Sequence, residues 1–234
     1  DFCLSRGLGD VYKRQTEMLP GGSYSVTAHY PGDSTYAASD SGPISVTVNP
    51  ENSQEQAFLV TFDSSGNVIK SNTNTAVYGS PYLLRVNVEN AAGKMCTPVA
   101  TSGTTATACP TGTVTLTDNG TALDAGTYTL NSYGYVEDLT VQLTGGSHSV
   151  VAAYQGDSSF NTNSVTSPMT ITPAPTTMSQ PSIYGAVVGQ SAQITVSVNT
   201  TTPAAAPSGT VTFYANGTAL KGTVSYSPSN GGSG

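Results

Sequence analysis

Charge is what this chain has least of. Only 9% of its 234 residues are charged, and Lys and Arg number 7 against 14 Asp and Glu, for a formal net charge of −7. Binding nucleic acid takes clustered Lys and Arg to neutralise phosphates, so that partner is excluded. Trp is absent, which removes the widest face on which a sugar stacks. No apolar run approaches the ~20 residues that cross a bilayer as a helix, so no membrane insertion is expected of this stretch. No Gly-x-Ser-x-Gly elbow, phosphate-cradling Gly loop or His/Cys cluster occurs, so no cofactor, metal or catalytic residue is expected. Leu, Glu, Lys and Arg, which cover helix faces, are thin on the ground.

What the chain does have is Thr, Ser, Gly, Val and repetition. PTGTVTLTDNGTAL at 110–123 returns as PSGTVTFYANGTAL at 207–220, and LPGGSYSVTAHYPGDSTY at 19–36 returns as LTGGSHSVVAAYQGDSSF at 143–160. The first pair belongs to the front of a repeat and the second to its end. The expected organisation is therefore the tail of one repeat (16–50), one whole repeat (51–174) with an insertion at 89–109, and the front of a third (175–234). Residues 1–15 do not join this pattern and resemble translated sequencing-adapter read-through; they are set aside as a non-native or disordered leader.

Along the chain, apolar residues alternate with polar ones, the period of a half-buried strand. Tyr24, Val26, Ala28 and Tyr30 do so, then Ile44, Val46 and Val48, giving two strands in 16–50. Phe58, Val60 and Phe62 alternate within 51–67, a segment without a counterpart in the third copy. Tyr82, Leu84, Val86 and Val88 follow, then Val114 and Leu116, Tyr128 and Leu130, Leu139, Val141 and Leu143, Val150, Ala152 and Tyr154, and Met169 and Ile171. Asn119-Gly120 and its repeat Asn216-Gly217 are hairpin turns, since both residue types tolerate positive φ. Gly156-Asp157, like Gly32-Asp33, is a turn in which Gly supplies the backbone and Asp caps it. Pro173-Ala174-Pro175 is a stiff linker.

Some seven short strands with turns every ~8–12 residues fit an immunoglobulin-like sandwich. The motifs PTGTVTLTDNGTAL, LNSYG and LTGGSHSVVAAYQGDSSF resemble the bacterial Ig-like repeat family, over 16–50 and roughly 68–226. The resemblance implies an all-β fold of tandem Greek-key immunoglobulin-like β-sandwiches. It also implies a secreted or cell-surface location, a structural or adhesive stalk as the function, and neighbouring repeats of the same chain as partners. It brings no catalytic residue. A glycan- or protein-binding module working through end loops, or an accessory module of a secreted hydrolase, are the alternatives.

Cys96 and Cys109 are the sharpest local feature. A bridge between them would close a loop of 14 residues, stabilising by ~3 kcal/mol in the chain-entropy account. The pairing is expected because a secreted chain with a close cysteine pair usually joins it in an oxidising compartment; the alternative is two free thiols in a tolerated insertion, and no His or further Cys accompanies the pair as a zinc site would require. The enclosed loop joins two strands at one end of the sandwich, where binding surfaces are grafted on this architecture. Met95, Thr97, Pro98 and Val99, with Tyr133 and Tyr135, are the candidate binding residues, although hot-spot anchors are sparse there. His29 and His148 fall outside the repeat pattern and are expected at the surface or a strand edge. Glu137-Asp138 is expected at a bulge or exposed edge, where charge discourages edge-to-edge pairing. Asp63, Ser65 and Asn67 lack the later Glu of a calcium loop and read as a hairpin turn. Lys70 and Lys94, the isopeptide candidates of the complete repeat, sit off the inward positions.

Overall fold

The computed structural model describes residues 19–99, 106–138, 142–202 and 206–225. The leader at 1–15, the centre of the insertion, the strand expected at Leu139 and Val141, and the last residues of the third copy lie outside them. Among the described residues there are strands and turns and no helix.

The first copy gives β1 (Gly22–Val26), β2 (His29–Tyr30), β3 (Ser39–Asp40) and β4 (Ile44–Val48). Two long strands were expected there. Instead the ladder breaks after Val26, and two short pairings form, β1 with β4 and β2 with β3.

The middle copy runs β5 (Gln54–Phe62), β6 (Val68–Thr73), β7 (Thr75–Val77), β8 (Tyr82–Glu89), β9 (Thr113–Asp118), β10 (Thr121–Thr129), β11 (Tyr135–Asp138), β12 (Gly146–Tyr154) and β13 (Asn163–Thr172). One sheet has the order β10-β9-β12-β13-β7, the other β11-β8-β5-β6. Pairing is antiparallel except for β13 with β7, where Thr170 to Thr172 lie beside Thr75 to Val77 in parallel. The inward residues of both sheets make one core. Leu59, Leu84, Val86, Val88, Val114, Leu116, Val150 and Ala152 are completely enclosed, with Tyr154, Phe160, Met169 and Ile171 beside them. Each enclosed Leu or Val of this kind contributes about 1.5–3 kcal/mol of transfer free energy.

The third copy holds β14 (Thr176–Met178), β15 (Ser182–Tyr184), β16 (Gln193–Thr195), β17 (Val198–Thr200), β18 (Tyr214–Ala215) and β19 (Thr218–Ala219). Here β14 pairs with β17 and β15 with β16, as in Met178↔Val198 and Ser182↔Thr195. By the repeat alignment the same pair in the middle copy would be β6 with β8. It is not made, because β5 lies between them. β5 takes the full register of β8, from Gln54↔Glu89 to Thr61↔Tyr82, and β6 is moved to the outer edge of β5. The segment without a counterpart is thus an added central strand. Phe58 and Val60 do alternate, but they point away from the main core and form a second cluster with Leu83 on the far face, while Ala57 and Leu59 face inward.

Two expectations are corrected. His148 is buried, at 8% exposure: it shares the inward face of β12 with Val150, and its two ring nitrogens are satisfied by Asp118 and Thr144. Asp138 is buried as well. It and Glu137 lie within β11, an edge strand paired through Glu137↔Arg85 and Asp138↔Leu84. Only Glu137 faces outward, in an ion pair with Arg85 at 2.9 Å.

Candidate functional site

One end of the middle sandwich gathers most of the sequence-flagged residues, and the first copy abuts it. β8 ends at Glu89, and the chain turns at Asn90, whose Oδ1 accepts from the amides of Ala92 and Lys94. It then enters the insertion. Cys96 and Cys109 are joined in a disulfide with Cα atoms 5.1 Å apart. Beside the bridge, Thr97 N donates to Thr107 Oγ1 at 2.9 Å and Thr107 N to the Thr97 carbonyl at 2.8 Å. The base of the loop is therefore a closed rung, and its return leg leads to Pro110 and β9.

Asp157 fixes this return leg to the turn after β12. One carboxylate oxygen accepts from both the amide and the hydroxyl of Thr111 at 2.7 Å. The other accepts from the amides of Ser159 and Phe160 at 2.7 and 2.8 Å. Gly156, at φ 76°, allows the turn. Burial works against the carboxylate, but these four donors outweigh it and hold its pKa below the ordinary value. Asp33 plays the equivalent part in the first copy, accepting from the amides of Thr35 and Tyr36 and from Tyr30. An Asp saturated this way organises a turn and has no basic lone pair left for proton transfer.

The first copy meets this end through backbone. Gly21 N donates to Ser159 Oγ at 2.9 Å, and the strands approach so closely that a Cβ on Gly21 would run into the Ser158 carbonyl. After Asn49-Pro50, Glu51 forms a parallel bridge to Phe160. Glu51 N donates to the Ser159 carbonyl, Asn161 N to the Glu51 carbonyl, Ser53 Oγ to the Asn161 carbonyl, and Asn163 Nδ2 to the Ser53 carbonyl. Between the copies lies a cleft of about 220 Å³, walled by Leu19, Val48, Cys96, Ala108, Pro110 and Phe160 among others. On the far side of the middle copy, Thr202 Oγ1 donates to the Tyr78 carbonyl at 3.0 Å. At the first junction the turn after β12 meets the preceding copy; at the second it is the loop after the strand equivalent to β8.

Of the candidate binding residues, Met95, Thr97 and Pro98 are half-buried, and Val99 is 68% exposed just before the undescribed stretch. Tyr133 is 52% exposed. Its neighbour Tyr135, 6.4 Å away between ring centroids, carries the Arg85 guanidinium 3.8 Å above its ring. One face of Tyr135 is thereby taken by a cation–π contact. The other flagged turns are not brought here. Asn119 and Gly120, at φ 48° and 83°, join β9 to β10 at the opposite end, and Asn216 and Gly217, at 51° and 80°, join β18 to β19. Asp63 accepts from Ser65 N, Asn67 N and Asn67 Nδ2 in its own turn. Among the described residues no group of three or more His, Cys, Asp or Glu is placed to hold a metal ion. Sequence reading missed Gly21 and the 51–53 zipper; the only available signal was the absence of any repeat counterpart for 51–67.

Residues 69–173 match the family model described as the bacterial Ig-like domain (group 3). The match opens within β6 and closes just past β13, so β5 lies outside it. No curated protein matches the chain.

Proposed function

Residues 69–173 belong to the bacterial Ig-like domain family, and from that premise we propose that this chain is a non-catalytic spacer of a secreted or cell-surface bacterial protein, part of an adhesin-like stalk that transmits tension from repeat to repeat. The place of β5 supports this reading. Tension pulling the first copy away from the third enters the middle copy at Glu51 and leaves at Thr172. The Glu51–Phe160 bridge is parallel, so β5 and β13 run the same way and their pulled ends lie at opposite ends of the sandwich. The load then shears β5 along β8, across the eight pairs from Gln54↔Glu89 to Thr61↔Tyr82, stressing them together rather than one after another. The β7–β13 contact, three pairs long, would otherwise carry it.

Stretching single full-length chains between marker domains is the test. The middle copy is expected to give one discrete, cooperative rupture. Smooth lengthening at low force, with no such event, would sink the spacer reading. The rival reading, a module that binds glycan or extracellular protein through the end loops, is served by Val99 and Tyr133, and a glycan and matrix-protein panel probes it.

A further inference from the structure

The tip of the β9–β10 hairpin carries two groups that can react with each other. Asn119 and Gly120 are both exposed, and a Cβ built on Gly120 would meet nothing within 4 Å. Among the described residues neither the Asn119 side-chain amide nor the Gly120 N–H has a hydrogen-bond partner. Other asparagines of the middle copy are tethered. Asn131 Oδ1 accepts from the amides of Tyr133 and Tyr135, Asn67 Nδ2 donates to Asp63, and Asn163 Nδ2 donates to the Ser53 carbonyl. Asn72 and Asn74 precede Thr73 and Thr75, whose branched side chains crowd the following amide nitrogen. Asn119 combines an untethered side chain with an unshielded glycine after it. The hairpin end is also lightly held. Two pairs, Thr121↔Asp118 and Ala122↔Thr117, close it before the register shifts toward Thr127↔Thr115, so local fraying frees Asn119 to rotate onto its neighbour. Just before it, Asp118 holds His148 Nδ1 at 2.7 Å through Oδ2 and accepts from Ser149 N through Oδ1.

We propose that Asn119 is a self-modification site, and that its β-aspartyl product draws Asp118 away from His148. The Gly120 nitrogen attacks the side-chain carbonyl carbon of Asn119. The new N–Cγ bond closes a succinimide, the Cγ–Nδ2 bond breaks, and the side-chain nitrogen leaves as ammonia with the Gly120 proton. Water then opens the ring at either carbonyl, giving aspartate or, through Cβ, the β-aspartyl linkage. Water is the co-reactant. The β-linkage adds one backbone atom to a two-residue turn built on positive φ at Asn119 and Gly120, 48° and 83°. The Thr121↔Asp118 pair then loses its register, and Asp118 moves with it. The consequence is a module that weakens with age. The inference stands independently of the spacer reading.

Ageing the purified full chain in mildly alkaline buffer tests it, with Asn119→Gly aged beside it. Glycine keeps the turn and has no amide to lose. Peptide mass spectrometry is expected to find aspartate and β-aspartate forming at position 119 at least about tenfold faster than at Asn131, which must first release two hydrogen bonds. The aged wild type is expected to melt lower than the aged variant. The ring signals of His148, one of only two histidines, should shift in the aged wild type and stay in place in the variant. Wild type separated by chromatography into modified and unmodified fractions gives the same comparison if the variant folds poorly when fresh. Asn119 modified no faster than Asn131 overturns the proposal, and so does a β-aspartyl fraction whose His148 signals stay where they were.

Discussion

His148 sits between two acceptors: its Nδ1 lies 2.7 Å from Asp118 Oδ2 and its Nε2 lies 2.8 Å from the Thr144 carbonyl. A neutral imidazole has one N–H and satisfies one of them, whereas the imidazolium satisfies both. Burial disfavours the charge, but the Asp118 carboxylate and the Thr144 carbonyl outweigh it, and the pKa is raised above the ordinary value of 6.5. A raised folded-state pKa contributes stability that is whole below 6.5 and is lost as pH rises through the folded value. The middle copy is therefore expected to lose on the order of 1 kcal/mol as the ring deprotonates. Thermal melts of the wild type and of His148→Gln from pH 5.5 to 8.5 check this: the slope over that window should flatten in the variant, and an identical slope would reject it.

Glu55 gives a second pH dependence of the same sign from a different cause. It is 7% exposed; one oxygen accepts from Ser53 Oγ at 2.7 Å, and the other, Oε2, has no hydrogen-bond partner. Burial raises its pKa, with Ser53 only partly offsetting. The folded state holds this proton longer than the unfolded chain does, so ionisation costs stability as pH climbs from 4.5 upward. Glu55→Gln keeps the shape without the charge. It is expected to melt higher than the wild type at pH 7, by about 1 kcal/mol, with the gain shrinking toward pH 4. A variant less stable than the wild type at pH 7 would contradict the account.

How far the fold could be read in advance depended on how many faces of a strand are buried. Val114 and Leu116 in β9 are completely enclosed between half-buried neighbours, because that strand uses one main face; β8 is buried on both faces, yet Leu84, Val86 and Val88 stay legible because polar Arg85 and Asn87 stand between them. In β5 the run from Ala57 to Val60 is buried throughout. Alternation there has no direction, and the strand's place between β6 and β8 comes from pairing that no local pattern encodes. His148 falls outside the repeat pattern, which points to the surface or a strand edge. Its parity with Val150 pointed inward, and the deciding fact, an acceptor on either side, comes from Asp118 on another strand and from Thr144. The junction was least legible of all: Gly21 and Ser159 are ordinary turn residues until the fold sets them side by side.

The Cys96–Cys109 bridge closes a loop whose return leg is held independently by Asp157 on Thr111. Loss of the bridge should therefore loosen the loop without releasing β9. Reduction, or Cys96→Ala with Cys109→Ala, is expected to cost ~3 kcal/mol while amide protection in β9 and β12 persists. Intact mass after alkylation should show no free thiol at either position in protein made under oxidising conditions. Two alkylated cysteines there, or collapse of protection in β9 on reduction, would contradict this.

Leu59 tests whether β5 belongs to the folding unit although it lies outside the family match. It is completely enclosed, opposite Leu84 in the β5–β8 ladder and within the main core. Were β5 a loosely applied strap, truncating Leu59 would free one edge and leave the sandwich intact. As a central strand it holds β6 on one side and β8 on the other, so a cavity at Leu59 weakens both ladders and the core together. Leu59→Ala is expected to cost about 2–5 kcal/mol in a single transition. Amide exchange should speed up across β8 and β9 as well as β5, since all three open with the same unit. If exchange rises in β5 and β6 alone while β8 keeps its wild-type protection, β5 is an appendage, and tension entering at Glu51 would peel it away without loading the sandwich.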